Sequence, residues 1–175
     1  TNLESIDFSY SVENIGKEAF LGCVALKTIS LPSTVISVGE SAFEDCTALT
    51  DVNFSYGIEK VSDYMFYNCN SLQNVNIINN ITEIGAYAFY GSGLTDLIIS
   101  DNVSIIGENA FENSLLASIS VSPHNDFFTA KDGVLYNKAL TSIVYVPNKI
   151  IGNIAMPQTV TEIGGAAFQD RSLLN

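Results

Sequence analysis

The sequence predicts a β-rich α/β solenoid: a right-handed superhelix whose coils of about 23 residues stack parallel strands on one face and short helical turns on another. Three spacings predict it. Phe20, Phe43, Phe66 and Phe89 are each 23 residues apart, Phe111 follows after 22, and Phe168 returns after a further 57. Ile15, Val38, Val61, Ile84, Ile106 and Ile163 stand five residues before these phenylalanines. Ile6, Ile29, Val52, Val75, Leu97 and Ile154 stand fourteen before them. A single unit of this length cannot bury its apolar face alone, so the units must stack.

The elements of one coil follow from "LKTISLPSTVISVGESAFEDCTA", residues 26–48. Ile29 and Leu31 alternate with Thr28 and Ser30, the period of a strand with one buried face, and Pro32 ends it. "TVISVG" is a second extended piece that turns Val35 and Val38 inward, and Gly39 is expected to permit the sharp turn that follows. "ESAFEDC" is too short for a free helix and is expected to be a turn or two held by packing of Ala42, Phe43 and Cys46. Glu18, Glu40 and Glu108 at the start of these pieces suit the positive end of a helical dipole. Ala precedes each Phe, with Met65 the one replacement, which leaves room for the ring of the next coil. The coils run 3–25, 26–48, 49–71, 72–93 and 94–115. A sixth begins at 116–121, is interrupted by an insertion over 122–153 with a β-hairpin near Asp132 and Gly133, and a last coil covers 154–175. The chain stops at "RSLLN", where another strand would begin, so it is expected to be either a fragment of a longer array or a protein with an unusual cap. An uncovered terminal coil would favour end-to-end association.

Composition narrows the function. The 175 residues are 47% hydrophobic and 15% charged, which suits one packed domain. The net charge of −12 and only seven Lys and Arg, scattered along the chain, argue against nucleic acid or an anionic membrane surface. No apolar run reaches the roughly 18 residues that span a bilayer. The chain opens on Thr1, so the lack of a leader pattern in "TNLESIDFSY" says nothing about export. Cys23, Cys46 and Cys69 repeat every 23 residues and fall in one column. Coils about 4.8 Å apart with parallel side chains keep Cβ atoms beyond the usual 3.5–4.5 Å of a disulfide. Free buried thiols are expected, and a straight column, continued by Ser92 and Ser114, does not converge on a metal.

The pattern L-x-x-I-x-L-P-x-x-V-x-x-I-G-x-x-A-F-x-x-C resembles the BspA-type leucine-rich repeat. The match is best at 26–49 and covers almost the whole chain, with IG, AF and C recurring in fixed phase. The stretch "DGVLYNKALTSIVYVP" before the return at "IAMPQTVTEIGGAAF" is similar to that family's usual interruption. Ser62 departs from the pattern by replacing Gly, Cys is lost after Cys69, and the fourth and fifth repeats are each one residue short. The resemblance implies a cell-surface or secreted protein of host-associated bacteria or some protists, adhesin-like in several members, with no catalytic residue to carry over.

Function is then sought on the exposed strand residues, where every second side chain meets solvent. One column reads Ser5, Thr28, Asp51, Asn74, Asp96, Ser118 and the next Asp7, Ser30, Asn53, Asn76, Ile98, Ser120. No two acids are neighbours within a column, as the repulsion of like charges one strand apart requires. This polar face is either simply solvated or a hydrogen-bonding surface for a host protein or glycan. Asp51 and Asp96 are two coils, about 10 Å, apart, too far to share Ca²⁺. The second candidate surface is the insertion, with Phe127, Phe128, Tyr136 and Tyr145. Tyr64 with Tyr87 and Tyr67 with Tyr90 repeat at 23 residues and should stack on the outer side, as packing or as anchors. Tyr10 and Tyr56 match two coils apart. The one His, His124, lies in a loop-like stretch with no nucleophile in register, so no catalytic residue, cofactor or metal is expected. Two readings stay open: an adhesin-like binding module, or spacer repeats that present another domain.

Overall fold

The structure, a computed structural model, describes residues 2–169. The segment "RSLLN" lies outside the described residues. In chain order the elements are β1 (Asn14–Ile15), β2 (Thr28–Ser30), β3 (Ser37–Val38), β4 (Asp51–Asn53), β5 (Lys60–Val61), β6 (Asn74–Val75) and β7 (Glu83–Ile84). They continue with β8 (Asp96–Ile99), β9 (Ile105–Ile106), β10 (Ser118–Val121), β11 (Phe128–Lys131), β12 (Val134–Asn137), β13 (Ser142–Tyr145) and β14 (Glu162–Ile163). Parallel pairing joins β2, β4 and β6, then β8 and β10, along the first side of the coils. Pairs β1–β3 and β5–β7–β9 line the second side. The register follows the repeat: Thr28 faces Asp51, Asp51 faces Asn74, and Val52 faces Val75. No strand forms at Ile6 or Ile154.

The expected helical turns are absent: among the described residues there is no helix. The third side is instead a ladder of peptide groups. Phe20, Phe43, Phe66 and Phe89 donate their N–H forward to the carbonyls of Ala42, Met65, Ala88 and Ala110, at 2.7–3.0 Å. Glu18, Ser41, Tyr64 and Tyr87 donate in the same way to Glu40, Asp63, Ala86 and Glu108. So do Gly22, Asp45, Asn68 and Gly91, to Glu44, Tyr67, Tyr90 and Glu112. Alternate N–H groups close local turns, such as Leu21 to Glu18 at 3.1 Å and Cys69 to Phe66 at 3.2 Å. Left-handed backbone at Tyr64 (φ 56°) and Asn68 (φ 56°), repeated coil by coil, swings every second peptide onto the stack axis. Two left-handed residues four apart exclude a right-handed helix. Glu18 is itself left-handed (φ 59°), so it caps no helix, and Glu40 pairs with Lys17 at 3.0 Å. Gly39 is needed for closeness rather than for a left-handed φ, because a Cβ there would lie 2.4 Å from the backbone N of Lys17. Where Ser62 replaces this glycine, its hydroxyl donates to the Val38 carbonyl at 2.6 Å.

Inside the coils the phenylalanines form one row. Ring centroids of Phe20, Phe43, Phe66, Phe89 and Phe111 follow one another at 5.2–6.1 Å with planes within 11°. Tyr145 from the insertion ends the row at 5.6 Å from Phe111 and donates its hydroxyl to the Phe111 carbonyl. The cysteines form a second row, free and buried. Cys46 and Cys69 donate their thiols to the carbonyls of Phe20 and Phe43, at 3.2 and 3.1 Å. Ser92 and Ser114 continue the row, but their buried hydroxyls make no hydrogen bond. An oxygen lies closer to its Cβ than a sulfur does and falls short of the carbonyl.

The insertion folds as the antiparallel meander β11–β12–β13, with left-handed Asp132 and Gly133 at the expected hairpin tip, and β13 then pairs in parallel with β14. Buried Asn125 fixes its start. Its amide donates to the carbonyls of Ser100 and Val103, and its carbonyl accepts from the N–H groups of Phe127 and Phe128. Ile119 of β10 donates to the Gly133 carbonyl at 3.1 Å, so the hairpin tip covers the last strand of the first side. A second, smaller core of Val134, Tyr136, Ile143, Val146 and Ala167 lies beneath.

Two predictions follow from the rows. Phe66→Ala opens a cavity between two coils and is expected to lower stability by about 3–5 kcal/mol in urea melts; a midpoint equal to the parent's would refute the stacked row. Burial pushes the Cys46 thiol up to about 12 and the Cys69 thiol well above its usual value. Because the fold favours the protonated thiol, this contribution is complete below the ordinary value of 9.0 and is lost as pH climbs toward about 12. At pH 9, iodoacetamide is expected to spare Cys46 and Cys69 until urea unfolds the chain, read by mass spectrometry.

Candidate functional site

The first side is not a uniform sheet. Pairing runs β2–β4–β6, stops, and resumes with β8–β10. The stop coincides with a shortened corner. Cys69 is three residues before Leu72, whereas Ser92 is two before Leu94, so the coil that enters β8 turns one residue earlier. The corner is pinched: a Cβ on Gly93 would lie 2.4 Å from the Asn70 carbonyl oxygen. Where a long corner meets a short one, the strand ends diverge and a shallow open depression of about 530 Å³ forms. Asp51, Asn53, Asn74, Asn76, Thr95, Asp96 and Ile98 line it over a floor of Val52, Val75 and Leu97.

Hydrogen bonds from neighbouring coils orient the polar side chains here. Asn74 donates its amide to Asp51 at 2.7 Å, and the Thr50 hydroxyl donates to the other Asp51 oxygen at 2.5 Å. The Thr50 hydroxyl, and after it the Asn74 amide, hold the Asp51 carboxyl below its ordinary range. Across the break the arrangement repeats, with Thr95 and Ser118 donating to the two oxygens of Asp96 at 3.1 and 3.2 Å. Asn53, Asn76 and Ile98 are exposed, Ile98 to 65%. The result is an open surface of carboxylate acceptors and amides around one aliphatic side chain, suited to reversible hydrogen-bonded recognition.

Of the residues singled out by sequence, Asp51, Asn53, Asn74, Asn76, Asp96 and Ile98 come together in this depression. Thr28 and Ser30 lie one coil back in the same columns, facing Asp51 and Asn53. The insertion divides differently. Phe127 is 50% exposed, but Phe128 and Tyr136 are 9% and 1% exposed and are corrected from surface to core. Alternation along β11 turns Phe128 into the main core, and Tyr136 fills the second core under the meander. The four tyrosines stack in pairs at 4.9 Å, Tyr64 on Tyr87 and Tyr67 on Tyr90, half-buried on the ladder side. Tyr10 and Tyr56 are exposed. His124 is exposed on its loop. Sequence reasoning missed Thr50 and Thr95, whose hydroxyls fix the two carboxylates; the signal was a Thr directly before each Asp. Among the described residues, no three His, Cys, Asp or Glu cluster as metal ligands, and no helix is long and apolar enough to cross a membrane.

Comparison with known proteins agrees with this architecture. No curated protein matches the chain in sequence. A leucine-rich repeat protein of Eubacterium ventriosum ATCC 27560 superposes with a TM-score of 0.83 at 27% identity, over 96% of this chain and 45% of its own. A leucine rich cell surface protein of Faecalibacterium prausnitzii A2-165 gives 0.68 at 28%, over 95% and 58%. The pneumococcal vaccine antigen PcpA gives 0.61 at 25%, over 94% and 36%. The chain thus spans between about a third and three fifths of these proteins. Residues 1–118 match the BspA type leucine rich repeat region in six copies. The stacked phenylalanine row, the ladder of axial peptides and this match together place the chain in the BspA-type leucine-rich repeat family.

Proposed function

We propose that the chain is a non-catalytic, adhesin-like binding module of a cell-surface or secreted protein, and that it recognises a host protein or glycan through the strand-face depression. The observation that carries this reading is the break between β6 and β8. There, hydrogen-bonded neighbours hold Asp51 and Asp96 in place, with exposed Asn53, Asn76 and Ile98 beside them. A solenoid that served only as a spacer has no use for an interruption of its smoothest face. Orientation of acceptors before binding reduces the entropy lost on association, which favours recognition of hydroxyl and amide donors. The surface location is supported by the description of the Faecalibacterium relative as a cell surface protein. Exposed Phe127 on the insertion is the secondary contact.

The test is binding of the chain to an array of extracellular-matrix proteins and glycans, followed by variants against whatever is retained. The double variant Asn74→Lys/Asn76→Lys is expected to weaken binding about tenfold or more, near 1.4 kcal/mol, with unchanged thermal unfolding. Phe127→Ser is expected to have the smaller effect. Unchanged affinity in both variants removes these surfaces from the reading, and failure to retain any partner returns the chain to the spacer alternative.

A further inference from the structure

The three files of forward-pointing peptides on the ladder side stop at the fifth coil. Asn109, Phe111 and Asn113 occupy the positions from which Tyr87, Phe89 and Gly91 donate, yet among the described residues their N–H groups have no hydrogen-bond acceptor. The local turns around them are intact, with Ala110 donating to Gly107 and Glu112 to Asn109. Only the axial donors are left over. Coil six does not supply their partners, because the insertion comes between: β13 pairs on its two edges with β12 and β14, not with β9. Tyr145 touches Phe111 at the core end, while toward solvent the two walls part around a cleft of about 490 Å³. Gly107–Glu112 form one wall, and Ser142–Tyr145 with Gly164–Ala166 form the other.

These donors differ from ordinary exposed amides. Each ends a chain of peptides hydrogen-bonded head to tail through the preceding coils, all with their N–H pointing forward along the stack. Such chains polarise one another and add their dipoles, as along a helix. A second observation at the same place is the Oδ1 atom of Asn109. It is buried without a partner among the described residues, while the amide of that side chain reaches back to the Tyr87 hydroxyl at 2.9 Å, so this oxygen is closed to an incoming chain and the Asn109 side chain is pinned to the preceding coil. The cleft wall therefore carries the axial donors of Asn109 and Phe111, with that of Asn113 just beyond its end.

We propose that this cleft binds an extended peptide segment of another polypeptide, which adds to the ladder as a further rung. Carbonyls at alternate residues of an extended chain match donors at alternate residues of the coil. Exposed Glu108 on the cleft wall and the net charge of −12 favour a segment carrying Lys or Arg and disfavour a free anion. Recognition rests on the main chain and tolerates many side chains. The site is separate from the strand-face depression and does not depend on it.

Amide hydrogen exchange, followed by NMR, tests this. In the free chain Asn109, Phe111 and Asn113 are expected to exchange at least about 100-fold faster than Tyr87, Phe89 and Gly91; equal rates overturn the proposal. Millimolar acetyl-Lys-Thr-Val-Thr-Val-Thr-Lys-amide is expected to slow the three amides about tenfold or more, also in the Asn74→Lys/Asn76→Lys variant. Gly165→Trp fills the cleft from a wall position where an added Cβ meets nothing within 4 Å, and it is expected to abolish that protection without changing thermal unfolding. No protection by the peptide, protection that survives Gly165→Trp, or protection by inorganic phosphate in place of the peptide each overturns it.

Discussion

Peptide groups aligned along the stack axis are the constraint on which the rest of this structure depends. Every regular coil contributes three of them on the ladder side, and each accepts from the coil before and donates to the coil after. A chain of such bonds tolerates no change of length between its rungs, because a skipped residue would reverse the peptide's direction. The phenylalanine row depends on the same spacing: parallel rings at 5.2–6.1 Å fit only if successive coils present the Phe at one height and one angle. Left-handed backbone at residues such as Ser41 and Tyr87 costs about 1 kcal/mol each relative to a helical conformation. Axial hydrogen bonds and buried rings, contributing about 1 kcal/mol and more per residue, offset it.

Variation in repeat length is therefore pushed to the corners. The fourth and fifth repeats each lose a residue just after the Cys column, between Ser92 and Leu94 and between Ser114 and Leu116, while the axial files run through unbroken. The strand side absorbs the difference. On the first side pairing stops where the long third corner meets the short fourth, and resumes between two short ones; on the second side it stops between β3 and β5, where Ser62 stands in place of the close-packed glycine. The strand-face depression is thus the geometric consequence of a single deletion. The loss of the thiol accompanies it: Cys46 and Cys69 reach a carbonyl of the preceding coil, and Ser92, in the tighter corner, does not.

Rows, strand register, the exposed columns and the hairpin tip were all legible in the sequence, since each is written as a period or as a local turn pair such as Asp132-Gly133. The ladder side was misread as helical because the left-handed positions two before each Phe carry Glu18, Ser41, Tyr64 and Tyr87, residues with no common preference for that conformation; the signal lay two after each Phe, where Gly22, Asp45, Asn68, Gly91 and Asn113 are types that favour it. Only spacing relative to Phe identifies the former. Gly39 was read as a residue that permits a turn, whereas its role is close approach to the neighbouring coil, which leaves no local mark in a sequence. Phe128 and Tyr136 looked like surface aromatics because an irregular segment has no period from which to read an inward face. The anchoring by Asn125 was hidden for the same reason, as its partners at Ser100 and Val103 lie one coil away.

Regular coils leave little unspent. Apart from the gap between β3 and β5, their backbone groups are paired on the ladder and strand sides, so they offer a partner mainly side chains, and those are repetitive. Interruptions change what is on offer. At the break between β6 and β8 the two strand edges diverge and the polar side chains beside them gain depth. At the end of the fifth coil the axial donors themselves come free. Both openings arise where one coil cannot be superposed on the next, one through a deleted residue and the other through an inserted meander. On the proposed reading, a repeat array acquires distinct candidate surfaces by changes of length at its corners and joints, with the buried rows held constant. The exposed residues need little change of type, because displacement of otherwise ordinary Asn, Asp and backbone groups alters what they present.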